Sequence, residues 1–183
     1  DEALRRYKSA LRVCRRVHAP EHEHVASALH DIGNVLKNKG DLDGAMAKYE
    51  KAHAMYVRLQ GADGPKIAMV LGNMASVIEK QGKSKEALPM REQALDIKRR
   101  TIGIENDQGV VSLYNLGVVH FDLGMYQEAL SRFEEGLGIV RRIHPERNVL
   151  EGRILCKVGV VYREQGKHEE ALEMYRKAQR IFR

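Results

Sequence analysis

Three histidines crowd one short segment, His18, His22 and His24 in RRVHAPEHEHV, and imidazoles at that density are the first place to look for a bound metal. A lone connector rich in His and Glu reads better as a solvated turn, so no metal site is expected there. Cys156 with His120 would make a thiol–imidazole dyad, but the two occupy different positions of successive helices and no third group orients them, so Cys156 is expected to be structural. No phosphate loop, HExxH or GxSxG occurs. The chain therefore reads as non-enzymatic, with no catalytic residue and no cofactor. The arginine pairs Arg15–Arg16, Arg99–Arg100 and Arg141–Arg142 recur at one position of a repeat and would form a ladder. In the last turns of helices such cations complement exposed carbonyls. A nucleic-acid track is disfavoured because no aromatic residues interleave with them.

The whole chain says which elements carry these side chains. It has 183 residues, 43% hydrophobic and 31% charged, with no Trp and 4 Pro, which disfavours disordered and fibrous classes. The least charged stretches, residues 67–78 and 108–121, are shorter than the ~20 residues a spanning helix needs, so no membrane association is expected. The opening DEALRRYKSAL is amphipathic and charged, unlike a secretory signal. Cys14 and Cys156, 142 positions apart, form neither a disulfide framework nor a zinc set, which makes a reducing, cytoplasmic compartment the default. A net charge of +6 favours acidic partners and is too mild to name nucleic acid.

An internal period decides the architecture. Gly40, Gly82, Gly124 and Gly166 are spaced by 42 residues, each followed five residues later by an Ala (Ala45, Ala87, Ala129, Ala171). Seven residues before each stands a small residue, Gly33, Ala75, Gly117 or Gly159, and Val35, Val77, Val119 and Val161 recur in the same register. Leu29, Ile32, Val35 and Leu36 mark a first helix, and Ala45, Met46, Tyr49, Ala52 and Met55 a second, antiparallel one after the Gly turn. Mid-helix glycine costs roughly 1 kcal/mol relative to Ala, so Gly33, Gly117 and Gly159 imply close helix packing. Counting back from Ala45, Tyr49 and Ala52 lands on Ala3, Tyr7 and Ala10, so the chain opens on the second helix of a repeat. The pattern predicts a single all-α array over 1–183: a truncated repeat at 1–22, then repeats at 23–64, 65–106, 107–148 and 149–183.

Small residues eight, twenty and twenty-seven positions into the unit with an aromatic at twenty-four, filled by Gly33, Ala45, Ala52 and Tyr49, resemble the tetratricopeptide repeat (TPR). The period of 42, with APEHEHVASAL, EALPMREQALDIKRR and QGKHEEALEMYRKA, is similar to the kinesin light chain type. The resemblance covers the whole chain and implies a right-handed TPR superhelix, an α-solenoid of antiparallel helix pairs. Arg91 replaces the aromatic, Gly136 and Gly138 loosen the second helix of the third unit, and His120 is polar in an apolar stripe, so the second and third units are expected to pack less tightly. Pro89 is expected near the start of a second helix, where a missing N–H is harmless.

The resemblance further implies a concave groove lined by first helices. An amide-rich entrance with Asn34 and Asn73 would lead to an apolar middle of Val111, Tyr114, Val118, Phe121 and Val160, with Asn115 among them and a cationic end of Arg153, Lys157 and Arg163. Such a surface suits an extended peptide: amides for its backbone, a pocket for an apolar anchor, cations for carboxylates. The leading expectation is an adaptor or scaffold binding a peptide segment of a protein partner, acidic with an apolar anchor, similar to the cargo-binding arrays of kinesin light chains. The alternatives are a structural scaffold that self-associates through exposed terminal helices, and a chaperone co-factor holding an acidic C-terminal tail. Asn115, Arg153 and Lys157 match the later part of a tail clamp, but Gly72 and Ser76 stand where its first Lys and Asn belong.

Overall fold

Nine α-helices make up the computed structural model, which describes residues 2–17 and 22–183, with residues 3, 4, 7, 8, 10 and 15 described through their backbone alone; no strand occurs among the described residues. They are α1 (Glu2–Val17), α2 (Glu23–Asn38), α3 (Leu42–Gln60), α4 (Pro65–Lys80), α5 (Ser84–Thr101), α6 (Asp107–Asp122), α7 (Tyr126–Ile143), α8 (Val149–Glu164) and α9 (His168–Phe182). The chain forms two compact units, up to Ile97 and from Lys98 onward.

One device ends every first helix. Gly40, Gly82, Gly124 and Gly166 adopt φ of +85°, +77°, +74° and +75°, the left-handed region that a side chain resists. The residue after each glycine then donates its N–H five residues back, Asp41 to Leu36, Lys83 to Ile78, Met125 to His120 and Lys167 to Tyr162, at 2.9–3.1 Å. These bonds satisfy carbonyls that the helix end would otherwise orphan. Starts are capped locally: Asp41 accepts from the Gly44 N–H at 2.9 Å and Asn106 from the Gly109 N–H at 2.9 Å. Pro89 departs from expectation, since it is the sixth residue of α5, beyond the first turn, and the carbonyl of Lys85 loses its helical donor.

In the first unit α2 packs on α3, α1 on α2 and α3 on α4. Val25, Leu29, Tyr49, Tyr56, Ile67, Val70 and Ile97 form its core, each nearly or fully buried. In the second unit α6 pairs with α7 and α8 with α9, while α7 packs on α8. Phe133, Leu113, Ile139, Val140 and Ile154 are buried at its centre.

The mid-helix glycines are explained by the aromatic sixteen positions on. A Cβ on Gly33 would lie 2.5 Å from the Tyr49 ring, on Gly117 2.6 Å from Phe133, and on Gly159 2.8 Å from Tyr175. Removing the side chain lets each ring lie flat against the partner backbone, which offsets the propensity cost. Where Arg91 takes the aromatic position, the small residue is Ala75, fully buried, and the guanidinium turns to Glu79 in a two-bond fork of 2.7 and 2.8 Å. Both glycines of α7 lie within one continuous helix. Gly136 is buried with Ile154 Cδ1 3.4 Å from where its Cβ would stand, so it admits α8 closely.

Candidate functional site

In the first unit the facing rows of α2 and α4 meet in a polar relay built from four side chains, with His30 buried and the others partly so. Lys37 Nζ donates to Asn73 Oδ1 at 3.1 Å, which turns the amide so that its Nδ2 donates to His30 Nε2 at 2.7 Å. On its other side the ring presents Nδ1 to Asp31 Oδ1 and to Asn34 Nδ2, each at 3.5 Å. Burial lowers the His30 pKa first, Asp31 raises it, and Lys37 and Lys66 lower it further. Burial likewise lowers the pKa of Lys37, with Lys80 and Arg91 adding to the effect. Next in the row, Tyr49 donates to Asn34 Oδ1 at 2.8 Å, and burial pushes the phenol pKa up to about 12.

Asn34 and Asn73 are therefore bonded within the chain. Lys37 and His30 take one acceptor and one donor position of the Asn73 amide. No local motif announces the relay, because its members lie 36 and 43 residues apart. The signal available was the period itself, which sets α2 beside α4 one repeat on.

In the second unit the same rows, on α6 and α8, are arranged differently. Asn115 stands one period after Asn73 and Lys157 one period after Asn115. Asn115 is half-buried and its side chain makes no hydrogen bond among the described residues. Tyr114 is half-buried and covered by the Arg153 guanidinium, 5.1 Å from the ring centroid, and its ring also leans on Phe133 at 6.0 Å. Val118 and Phe121 are half-buried, with Phe121 against Tyr126 at 5.8 Å. Arg153 and Lys157 make no ion pair among the described residues, whereas Arg163 is tied to Glu164 at 2.8 Å. The structure thus brings Tyr114 and Arg153 together across two helices and gives Arg163 a carboxylate of its own. Chemically, this face offers a free amide, aromatic and aliphatic surface, and two cations; it offers no nucleophile poised by a base. Burial raises the pKa of the Cys156 thiol on the same face, the opposite of an activated thiolate.

The other candidates take structural roles. His22 Nδ1 accepts from the His24 N–H at 3.2 Å and caps α2, and His18 lies outside the described residues. Among the described residues no group of three His, Cys, Asp or Glu is placed to hold a metal. In the arginine ladder, Arg99 pairs with Glu135 at 2.5 Å, Arg141 with Glu151 at 2.7 Å and Arg142 with Glu105 at 2.7 Å. The side chain of Arg15 lies outside the described residues. No helix is long and apolar enough to cross a membrane among the described residues.

Comparison with known proteins gives a consistent picture. The sequence model of the tetratricopeptide repeat family matches residues 1–57, 25–100, 66–142 and 109–183. No curated protein sequence matches the chain. Among solved structures, BtubC (BKLC) from P. vanneervenii is similar with a TM-score of 0.87 at 20% identity, over 96% of this chain and 70% of that one. The repeats of a Podospora anserina putative kinesin light chain give 0.81 at 18%, over 98% and 85%. A Rap protein in complex with competence and sporulation factor gives 0.79 at 18%, over 97% of this chain and 47% of that one. At these identities the likeness shows a shared fold of paired helices.

Proposed function

We propose that this chain, which belongs to the tetratricopeptide repeat family, is a non-enzymatic interaction module whose α6–α8 face binds an extended segment of a partner protein. The observation that supports this reading is a contrast between equivalent asparagines. Asn73 is held by Lys37 and His30, while Asn115 presents an unbonded amide beside the Arg153–Tyr114 stack and Lys157. An amide with both donor and acceptor open can pair with a peptide backbone, and the neighbouring groups then select its side chains. Val118 and Phe121 suit one bulky apolar or aromatic anchor, and Arg153 and Lys157 suit acidic residues beside it. Exposed charge pairs are worth only ~0.2–1 kcal/mol each, so the anchor supplies most of the affinity and the cations its orientation and rate.

An adaptor working in the cytoplasm fits this reading, as does the pairing of the arginine ladder with glutamates, which leaves it poorly suited to a phosphodiester backbone. The test is a pull-down with the wild-type chain beside Arg153→Glu with Lys157→Glu, both confirmed folded by circular dichroism. Partners lost from the charge-reversed chain are partners of this face. An unchanged set contradicts the proposal and favours a self-associating scaffold.

A further inference from the structure

One repeat on from the seam of α5 with α7, cations stand where the acidic partners stood. At the earlier seam Arg99 is held by Glu135 and Arg142 by Glu105. One period of 42 later the positions of Glu105 and Glu135 are occupied by Arg147 and Lys177, and that of Gly138 by Arg180. Arg141, the counterpart of Arg99, turns to Glu151 at 2.7 Å, and Lys177 turns along its own helix to Glu173 at 2.6 Å. Arg147 and Arg180 are exposed and make no ion pair among the described residues.

These side chains border an open cleft of about 280 Å³ between the α7–α8 connector and the last turns of α9, above Leu155 and Ile181. Four cations line it, Arg141, Arg147, Lys177 and Arg180, against the carboxylates of Glu146 and Glu151. The cleft shares no residue with the α6–α8 face.

We propose that this cleft is an anion site for a phosphate monoester. Two unpaired guanidinium forks are the side chains best suited to bind the oxygens of a tetrahedral oxyanion. With Arg141 held by Glu151 and Lys177 by Glu173, Arg147 and Arg180 remain, beside the carboxylate of Glu146, to meet a group carrying about −1.5 to −2 near neutral pH. Leu155, only 2% exposed, closes the floor of the cleft beneath these groups.

The test is an NMR titration of the full chain that follows the arginine Nε–Hε and cleft backbone resonances. One arm uses inorganic phosphate and the other a phosphoserine peptide of otherwise neutral sequence, each at constant ionic strength held with sodium chloride. The expected result is saturable shifts at Arg147, Arg180 and Leu155 in at least one arm. Binding should weaken at least tenfold in Arg147→Glu with Arg180→Glu and remain unchanged in Arg153→Glu with Lys157→Glu. Tighter binding of the peptide identifies a protein-borne phosphate, and equal or tighter binding of the inorganic ion a free one. Absence of saturable shifts in both arms overturns the proposal, as does an unaltered titration in the Arg147→Glu, Arg180→Glu chain, still helical by circular dichroism.

Discussion

The guanidinium of Arg153 lies over the ring of Tyr114, 5.1 Å from its centroid, and so ties α8 to α6 across the candidate face. A cation–π contact at an exposed site is worth about 0.5–1 kcal/mol, enough to hold the arginine in place for a ligand. Tyr114→Ala should lower stability by roughly 1 kcal/mol or more in chemical denaturation and weaken binding of acidic peptides several-fold. Tyr114→Phe, which keeps the ring face, should leave both unchanged. Equal affinity in the Ala and Phe variants would show that the stack does not organise the face.

Two glycines 21 residues apart should respond to alanine in opposite ways. In Gly117→Ala the new Cβ meets the Phe133 ring at 2.6 Å inside the packed pair, and overpacking of this kind costs about 1–3 kcal/mol. In Gly138→Ala the nearest atom is Arg142 Nη1 at 3.5 Å, an ordinary contact, and the gain in helix propensity should stabilise by about 0.5–1 kcal/mol. Urea midpoints moving in the same direction would contradict the packing derived for α6 and α7.

Arg91 and Ala75 should be coupled. Arg91→Tyr installs the aromatic that α3 and α9 carry at this position, but against a methyl rather than a glycine, and it leaves Glu79 without its fork. Adding Ala75→Gly should recover part of the loss, with an interaction energy on the order of 1 kcal/mol in a double-mutant cycle. Simple additivity would mean that the small residue and the aromatic are not one packing unit.

His30 makes stability depend on pH. Its folded pKa lies below the ordinary value of 6.5, chiefly through burial, so between those two values the unfolded chain binds the extra proton. Stability should therefore be full above about pH 7 and fall as pH drops through 6.5 toward the lowered folded value. His53, lowered by burial, acts in the same direction, so His30→Gln should reduce the slope of unfolding free energy between pH 5.5 and 7.5 without abolishing it. An identical slope in wild type and variant would show that the relay through Asn73 does not hold His30 neutral.

The fold was largely legible in the sequence because it repeats. A glycine that must adopt φ near +80° and a small residue, which in three of the four units receives an aromatic ring, each recur every 42 residues, and coincidence in register is hard to mistake. The position of Pro89 was not legible: helix starts are set by local hydrogen bonds, and α5 begins at Ser84, a full turn before the proline. The candidate site was legible as a row of residues but not as chemistry. Asn73 and Asn115 look alike at one repeat position, yet only the first has a Lys37 and a His30 within reach. Arg163 looked like a free cation until its neighbour Glu164 was seen to turn toward it. Pairing across helices is decided by rotamers and by what the preceding repeat carries, which a position-by-position reading does not contain.

Whether the α6–α8 face reads an apolar anchor beside acidic residues is tested most directly by a peptide array with fluorescence anisotropy at several salt concentrations. Wild type should prefer acidic peptides carrying one bulky apolar or aromatic residue, with affinity falling as salt rises, and Phe121→Ala should weaken that binding severely. Arg153→Glu with Lys157→Glu, folded by circular dichroism, should invert the preference toward basic peptides. If the charge-reversed chain binds the same acidic peptides with unaltered salt dependence, Arg153 and Lys157 belong to a solvated surface and the proposed binding face is wrong.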